Sequence, residues 1–440
     1  MNKKERLELA NWAVNQAKKS GAQDVGVDIS YNRDVEVGFR DGRIEQLKES
    51  AQSSLSLSIY ANKRYSSHWT NDMRKDSLEK FIQQAVAMTK YLSEDPFRSL
   101  PDPKYYEGQK KIDLNNNDPV YEKVSPEKRL EIAQKIEEIA RAQSDKIISC
   151  TSGYSDTFYE STKVNSNGFE GESQGTYFSA GAEVVVKDEG GKRPEDWEWA
   201  TVRLQKDLPS PEVLGKKASQ RALGKIGQSK LQSGSYDMLL ENRVGGRFLY
   251  SLAAPMSGRS LQQKSSYLEG KLGQKIGSDK LTIIDDPFIS SGMGSRLFDD
   301  EGMATKLRVM VDKGILKEFY IDSYYAKKLG MEPTSGSASN VIFDYGTRAL
   351  DKMIEGTKKG ILVNTFIGGN SNSTTGDFSY GIIGTYIEDG KIIKPVSEMN
   401  ITGNLADLLN QLVEVGNDPY IYSSLRTPTL YFKDVQFSGI

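Results

Sequence analysis

Two Ser-Pro-Glu triplets, Ser125-Pro126-Glu127 and Ser210-Pro211-Glu212, constrain the fold of this chain more than any other feature. Each is a helix start. A serine side chain can accept from a free amide of the first turn, proline suits the first helical position, and glutamate complements the positive end of the helix dipole. After the first triplet, Leu130, Ala133, Ile136, Ile139 and Ala140 recur at helical spacing. After the second, a helix runs to about Leu223. Between the two helices, strands are expected around Ile147–Tyr154, Phe158–Asn165, Phe169–Thr176, Tyr177–Lys187 and Trp197–Leu204, with Asn167-Gly168 as a turn. Residues 125–228 therefore read as helix, strands, helix.

The same order comes earlier. Leu7, Ala10, Val14 and Ala17 mark a helix over Arg6–Lys19 that Ser20-Gly21 stops. Val25, Val27, Ile29 and Tyr31 alternate as in a half-buried strand, and Val35, Val37 and Phe39 alternate again. Asp41-Gly42 is a hairpin signal, Leu55, Leu57 and Ile59 mark a further strand, and Leu78 to Val86 returns to helical spacing. Residues 1–93 thus form a second α+β unit, with no residue-level repeat between the two. Residues 94–124 read as a linker: Pro96, Pro101, Pro103, Pro119 and the run Asn115-Asn116-Asn117-Asp118 carry no apolar period.

Residues 229–440 read as a β-rich C-terminal domain. Strands are expected near Tyr236–Leu240, Leu281–Asp285, Thr305–Val311, Ile315–Ser323, Ile361–Phe366 and Phe378–Glu388. Asp312-Lys313-Gly314 and Glu388-Asp389-Gly390 are hairpin turns, and short helices fit Arg247–Ala254 and Leu405–Val415. The polar loops Pro333–Asn340 and Gly368–Asp377 are where a β scaffold usually binds. The fold class is α+β.

Composition removes much chemistry. The 440 residues include one His and one Cys, which excludes an intrachain disulfide and any Cys₄ or Cys₂His₂ zinc site. Lys and Arg total 58 against 60 Asp and Glu, so the basic excess of a nucleic-acid-coating protein is missing. No apolar run approaches the ~20 residues of a membrane helix. The charged start Met1-Asn2-Lys3-Lys4 lacks the apolar core of a signal peptide, so a cytoplasmic protein is expected.

The remaining candidates are few. His68, with Ser66 and Thr70 on its strand face, lacks a G-x-S-x-G elbow and reads as a strand histidine. Cys150 has no adjacent base and reads as a small buried residue. Asp285-Asp286-Pro287 and Asp299-Asp300-Glu301-Gly302 could offer oxygens to a hard cation, but they have no EF-hand spacing and read as turn residues. Gly292-Met293-Gly294 and Gly368-Gly369-Asn370 lack the phosphate-loop patterns.

An ordered set of segments resembles the TldD/PmbA family, also called modulators of DNA gyrase. They are Gly38-Phe39-Arg40-Asp41-Gly42-Arg43-Ile44-Glu45, Leu281 to Pro287, Phe298 to Gly302, and Gly314-Ile315-Leu316 with Asp322 to Ala326. Thr334 to Ala338, Thr375 to Ser379, Gly384 to Lys391, Gly403-Asn404-Leu405 and Val415 to Asp418 continue the series. The resemblance implies two branches. One carries H-E-x-x-x-H on a helix and a later Cys, and resembles zinc peptidases. The other, TldE or PmbA, lacks the motif and partners the first in a two-subunit protease. Here Tyr250 and Pro255 stand where the histidines would be, and Ser251 stands in place of the glutamate. The stretch from Asp418 to Thr427 carries no Cys.

The resemblance therefore implies a TldE/PmbA-like, non-catalytic subunit of a cytosolic metalloprotease, inactive alone, with no cofactor of its own. Its expected partners are a TldD-like paralogue carrying the metal and an unfolded peptide, with a homodimer when alone and neither nucleic acid nor membrane. Gly368, Gly369, Thr375 and Gly376 are candidate peptide-facing loop residues, since extended peptides commonly add a strand to a sheet edge. Two alternatives stand beside this reading: an autonomous hydrolase using Asp285/Asp286 and Asp299/Asp300/Glu301, and an adaptor that modulates other proteins such as DNA gyrase.

Overall fold

The computed structural model describes residues 1–440. Helix α1 (Lys3–Lys19) opens on a capping box, with the Asn2 side chain accepting from the Glu5 amide while Glu5 reaches back to the Asn2 amide. Strands β1 (Asp24–Arg40), β2 (Arg43–Ala61) and β3 (Arg64–Thr70) follow as an antiparallel meander, then α2 (Lys75–Thr89). Ala10, Val14 and Ala17 of α1 and Leu78, Ile82 and Val86 of α2 pack on Val25, Val27, Ile29, Leu55, Leu57 and Ile59. The strands expected at Val25–Tyr31 and Val35–Phe39 are one strand of 17 residues.

Ser125 caps α3 (Pro126–Arg141) by accepting from the Lys128 amide. Strands β4 (Ile147–Asn165), β5 (Phe169–Val186) and β6 (Glu195–Val202) lead to α4 (Pro211–Leu223), which Ser210 caps in the same way. Ile132, Ala133, Ile136, Leu214 and Ala218 of the two helices cover Tyr154, Phe178, Ala180 and Val184 of the sheet. The expected break between Tyr154 and Phe158 does not occur. β1 and β4 pair without interruption from Gly26–Asn165 to Arg40–Thr151, and Thr157 donates to Asp34 across the ladder at 2.8 Å. One sheet of order β3-β2-β1-β4-β5-β6 therefore runs through both α+β units. β3 covers only Leu55–Ala61 of β2, so Arg43–Gln52 pairs with β1 alone and is exposed.

The proline-rich segment 94–124 is an ordered strap with two short 3₁₀ turns. Its Asn116 carbonyl accepts from the Thr176 amide (2.9 Å), and its Leu114 carbonyl from the Ser291 amide (2.7 Å). It thus joins the six-stranded sheet to the C-terminal domain.

That domain runs β7 (Gly234–Leu240), α5 (Asn242–Ala253), α6 (Gly258–Gln262), β8 (Ile283–Asp286), β9 (Arg308–Asp312), β10 (Ile315–Leu316), α7 (Ser323–Leu329) and β11 (Asn340–Phe343). It continues with α8 (Leu350–Glu355), β12 (Lys359–Phe366), β13 (Asn370–Ser371), β14 (Asp377–Glu388), β15 (Lys391–Asn404), α9 (Leu405–Asn410), β16 (Leu412–Val415) and β17 (Leu430–Ser438). Strands β10-β9-β8-β11 form a small sheet. The larger sheet closes on itself: β12, β7, β17, β15 and β14 are neighbours in turn, and β14 pairs back to β12. Met238, Leu240, Ile361, Ile382, Val396 and Phe432 belong to its core.

Two expectations need correction here. The strand expected at Ile315–Ser323 is two residues long, and Asp322 instead caps α7 by accepting from the Tyr325 amide. The helix expected over Leu405–Val415 stops at Asn410, because Leu412–Val415 pairs with β17. No helix is long and apolar enough to cross a membrane.

Candidate functional site

Helix α5 leaves β7 at the end of the closed sheet. Its buried face carries Phe248, Leu249, Ser251 and Leu252, while Tyr250 points outward and is 70 % exposed. Ser251 is 5 % exposed and shares a 2.6 Å hydrogen bond with the Tyr380 hydroxyl. Pro255 is buried in the 3₁₀ turn that ends the helix, and its carbonyl accepts from Ser266 Oγ at 2.6 Å. All three residues are thus committed to solvent or to the protein's own packing.

The loop expected to face a peptide lies beside this helix. Arg247, one turn before Ser251, donates to the carbonyls of Gly368 (2.9 Å) and Gly369 (3.1 Å). Its guanidinium also sits over the Phe366 and Tyr380 rings. Gly369 has φ +84°, and a Cβ there would meet the Ser379 carbonyl at 2.1 Å, so the close approach of this loop to β14 requires glycine. At its other end, Tyr267 donates its amide to the Ser373 carbonyl, and Asn404 donates to the Thr375 carbonyl and to Asp377. Thr375 donates to Asp377 at 2.6 Å, and these hydrogen bonds hold the Asp377 carboxyl below its usual range. The structure therefore brings Ser251 and Pro255 to the same end of the barrel as Gly368, Gly369, Thr375 and Gly376. Sequence reasoning missed Arg247, Tyr380 and Tyr267. The four-residue spacing of Arg247 and Ser251 was the one available signal.

The other candidates are held mostly by local contacts, although His68 Nε2 and Asp299 Oδ2 are buried without a partner. His68 stacks edge-on to Phe81, while Ser66 bonds to Thr89 instead. Cys150 is fully buried, and burial pushes its thiol up to about 12, away from the reactive thiolate. Asp285 pairs with Arg308 and accepts from the Ser339 amide. Asp286 accepts from the Phe288 amide, and Asp299 from the amides of Glu301 and Met303. Glu301 accepts from the amide and hydroxyl of Ser323, and Asp300 points to solvent. For the aspartates these are turn and ion-pair roles, while Glu301 is a buried carboxylate held by Ser323 alone.

Models of the PmbA/TldA metallopeptidase match residues 25–89 (domain 1), 120–226 (central domain) and 233–439 (C-terminal domain). "Metalloprotease PmbA" of Escherichia coli O157:H7 is 30 % identical over 437 residues, 98 % of this chain and 94 % of that protein. The chain belongs to the PmbA/TldD family.

Solved structures agree with that membership. A Bacteroides thetaiotaomicron protein named as a modulator of DNA gyrase superposes with a TM-score of 0.97 at 41 % identity, covering 100 % of both chains. TldE from Thermococcus kodakarensis shares the fold, with a TM-score of 0.87 at 23 % identity over 98 % of this chain and 100 % of that one.

Membership in a metallopeptidase family raises the question of a metal. The residues present do not fit one. Tyr250 faces solvent, Ser251 is held by Tyr380, and Pro255 has no side-chain donor. Nowhere do three His, Cys, Asp or Glu side chains converge to hold an ion. No hydrolytic step through a metal follows from these residues.

Proposed function

We propose that this PmbA/TldD-family chain is a TldE/PmbA-like, non-catalytic subunit of a two-component metalloprotease acting on unfolded peptides. The metal resides on a TldD-like partner, and the pair acts in the cytoplasm. The observation that carries this reading is the slot on α5. Where the catalytic branch would place two histidines and a glutamate, Tyr250, Ser251 and Pro255 are built into solvent, a hydroxyl pair and a helix end.

A scaffold role follows for the rest of the domain. The loop from Gly368 to Gly376, pinned by Arg247 and Asn404, forms a polar rim at a strand edge suited to an extended peptide. Alone, the chain forms a homodimer through the face that the partner would otherwise cover. The test is peptide cleavage by this chain, by a TldD-like paralogue, and by their mixture. Cleavage that rises when the two are mixed is the expected result. Chelator-sensitive cleavage by this chain alone overturns the proposal.

A further inference from the structure

A cavity of about 440 Å³ lies where the 112–117 strap, strands β4 and β5, and the loop 293–300 meet. Small-molecule sites run from roughly 300 to 1,000 Å³. Arg203, just past β6, lines this cavity and is 3 % exposed. It donates through Nη1 to the Tyr159 hydroxyl (2.9 Å) and through Nη2 to the Met293 carbonyl (3.0 Å). Its guanidinium lies 4.0 Å from the Tyr177 ring centre, and Nε has no partner at all. Every group it meets is neutral. A buried cation without a counter-charge is costly, and the aromatic contact offsets only part of that cost. Arginine's planar fork is matched to a carboxylate.

Free acceptors line the same cavity. Asn116 donates its amide nitrogen to the Ser295 carbonyl, which fixes its orientation and leaves Oδ1 buried without a partner. Glu172 gives Oε2 to Lys3 and leaves Oε1 unpartnered. Asn117 Oδ1 is a third such atom. Gly175 makes room for this arrangement, because a Cβ there would lie 2.6 Å from Arg203 Nη1 and 2.8 Å from the Tyr159 hydroxyl.

We infer that this cavity binds a carboxylate whose neighbouring group donates hydrogen bonds: an α-amino acid or the C-terminal residue of a peptide. The carboxylate meets the buried, unpartnered Nε–H of Arg203. The adjacent ammonium or amide N–H meets an acceptor among Asn116, Asn117 and Glu172. A phosphate dianion is disfavoured, because it would face the Glu172 carboxylate. The site stands independently of any protease partner, since all of its residues belong to this chain.

Calorimetric titration of the full chain tests it with three probes: L-alanine, tri-L-alanine and tri-L-alanine amide. Saturable binding of an acid form, at least about tenfold tighter than the amide, is expected. Binding of alanine supports an amino-acid site, and binding of tri-alanine alone supports a peptide terminus. Arg203→Gln should abolish the binding and Arg203→Lys should restore part of it, both read on protein whose unfolding transition is intact. If the Gln variant does not fold, Gly175→Ala, which displaces the guanidinium, takes its place and should weaken binding likewise. The inference fails if neither acid binds, if the amide binds equally well, or if a folded Arg203→Gln chain binds as the wild type does.

Discussion

Arg308 and Arg203 are buried alike, at 5 % and 3 % exposure, yet the two regions treat them oppositely. Both donate to backbone carbonyls and both lie over a tyrosine ring. In the small sheet, β8 adds Asp285, which pairs with Arg308 and takes the Ser339 amide on its other oxygen. At the cavity no carboxylate completes Arg203. The same residue type in similar burial is structural in one place and poised for an external anion in the other. Fold stability is expected to depend more on the first than on the second.

The largest effect expected from this contrast is at the complete pair. Asp285→Ala strands the Arg308 charge and should cost about 3–5 kcal/mol in chemical unfolding. A loss well under 1 kcal/mol would erase the distinction.

Glu301 is an intermediate case: a carboxylate with Ser323 donors but no cation. Burial, only partly opposed by Ser323, raises its pKa from 4.5 to about 7. The folded state therefore holds the proton more tightly than the unfolded state. Its contribution is present below pH 4.5 and is lost as pH rises to about 7, by up to about 3 kcal/mol. Glu301→Gln should flatten that slope in unfolding measured across pH 4.5–8. An unchanged slope would assign it to other groups.

A neutral pair follows. Ser251→Ala leaves the Tyr380 hydroxyl without its partner and should cost about 1 kcal/mol. A double-mutant cycle with Tyr380→Phe should give a coupling of roughly 0.5–1.5 kcal/mol. Zero coupling would mean that the slot is not held shut by this bond.

The smallest effect is expected at Arg203. Replacing an uncompensated buried cation by glutamine is expected to change stability by less than about 1 kcal/mol, or to raise it. A loss as large as that of Asp285→Ala would make Arg203 structural.

The turns and caps of this fold were legible in the sequence because their causes are local. Asp41-Gly42, Asn167-Gly168, Asp312-Lys313-Gly314 and Glu388-Asp389-Gly390 each separate paired strands, and Ser125 and Ser210 each cap a helix. Strand length was not legible. Polar residues at Asn32–Asp34 and Ser155–Thr157 read as breaks, yet Asn32–Asp34 pairs with Thr157–Tyr159 and Ser155–Asp156 with Val35–Glu36, across segments more than 100 residues apart. The expected α5 slot rests on the family resemblance alone, and the Ser251–Tyr380 hydrogen bond joins residues 129 apart, beyond the reach of local pattern. The Arg203 cavity gathers residues from the strap, β4, β5, the end of β6 and the loop 293–300, none with a motif of its own.

The ladder between β1 and β4 also sets an order of assembly. The first 93 residues contain both helices and three strands of one core, to which β4 adds Val164. However, one edge of β1 has no neighbour until residues 151–165 are made. During synthesis this first unit waits with a long open backbone edge, and a chain stopped at residue 93 would retain it permanently. Such an edge recruits other strands. Closure over so long a loop is intrinsically slow. Truncation after the first unit should therefore yield aggregates, whereas a chain extended through β4 has closed that edge.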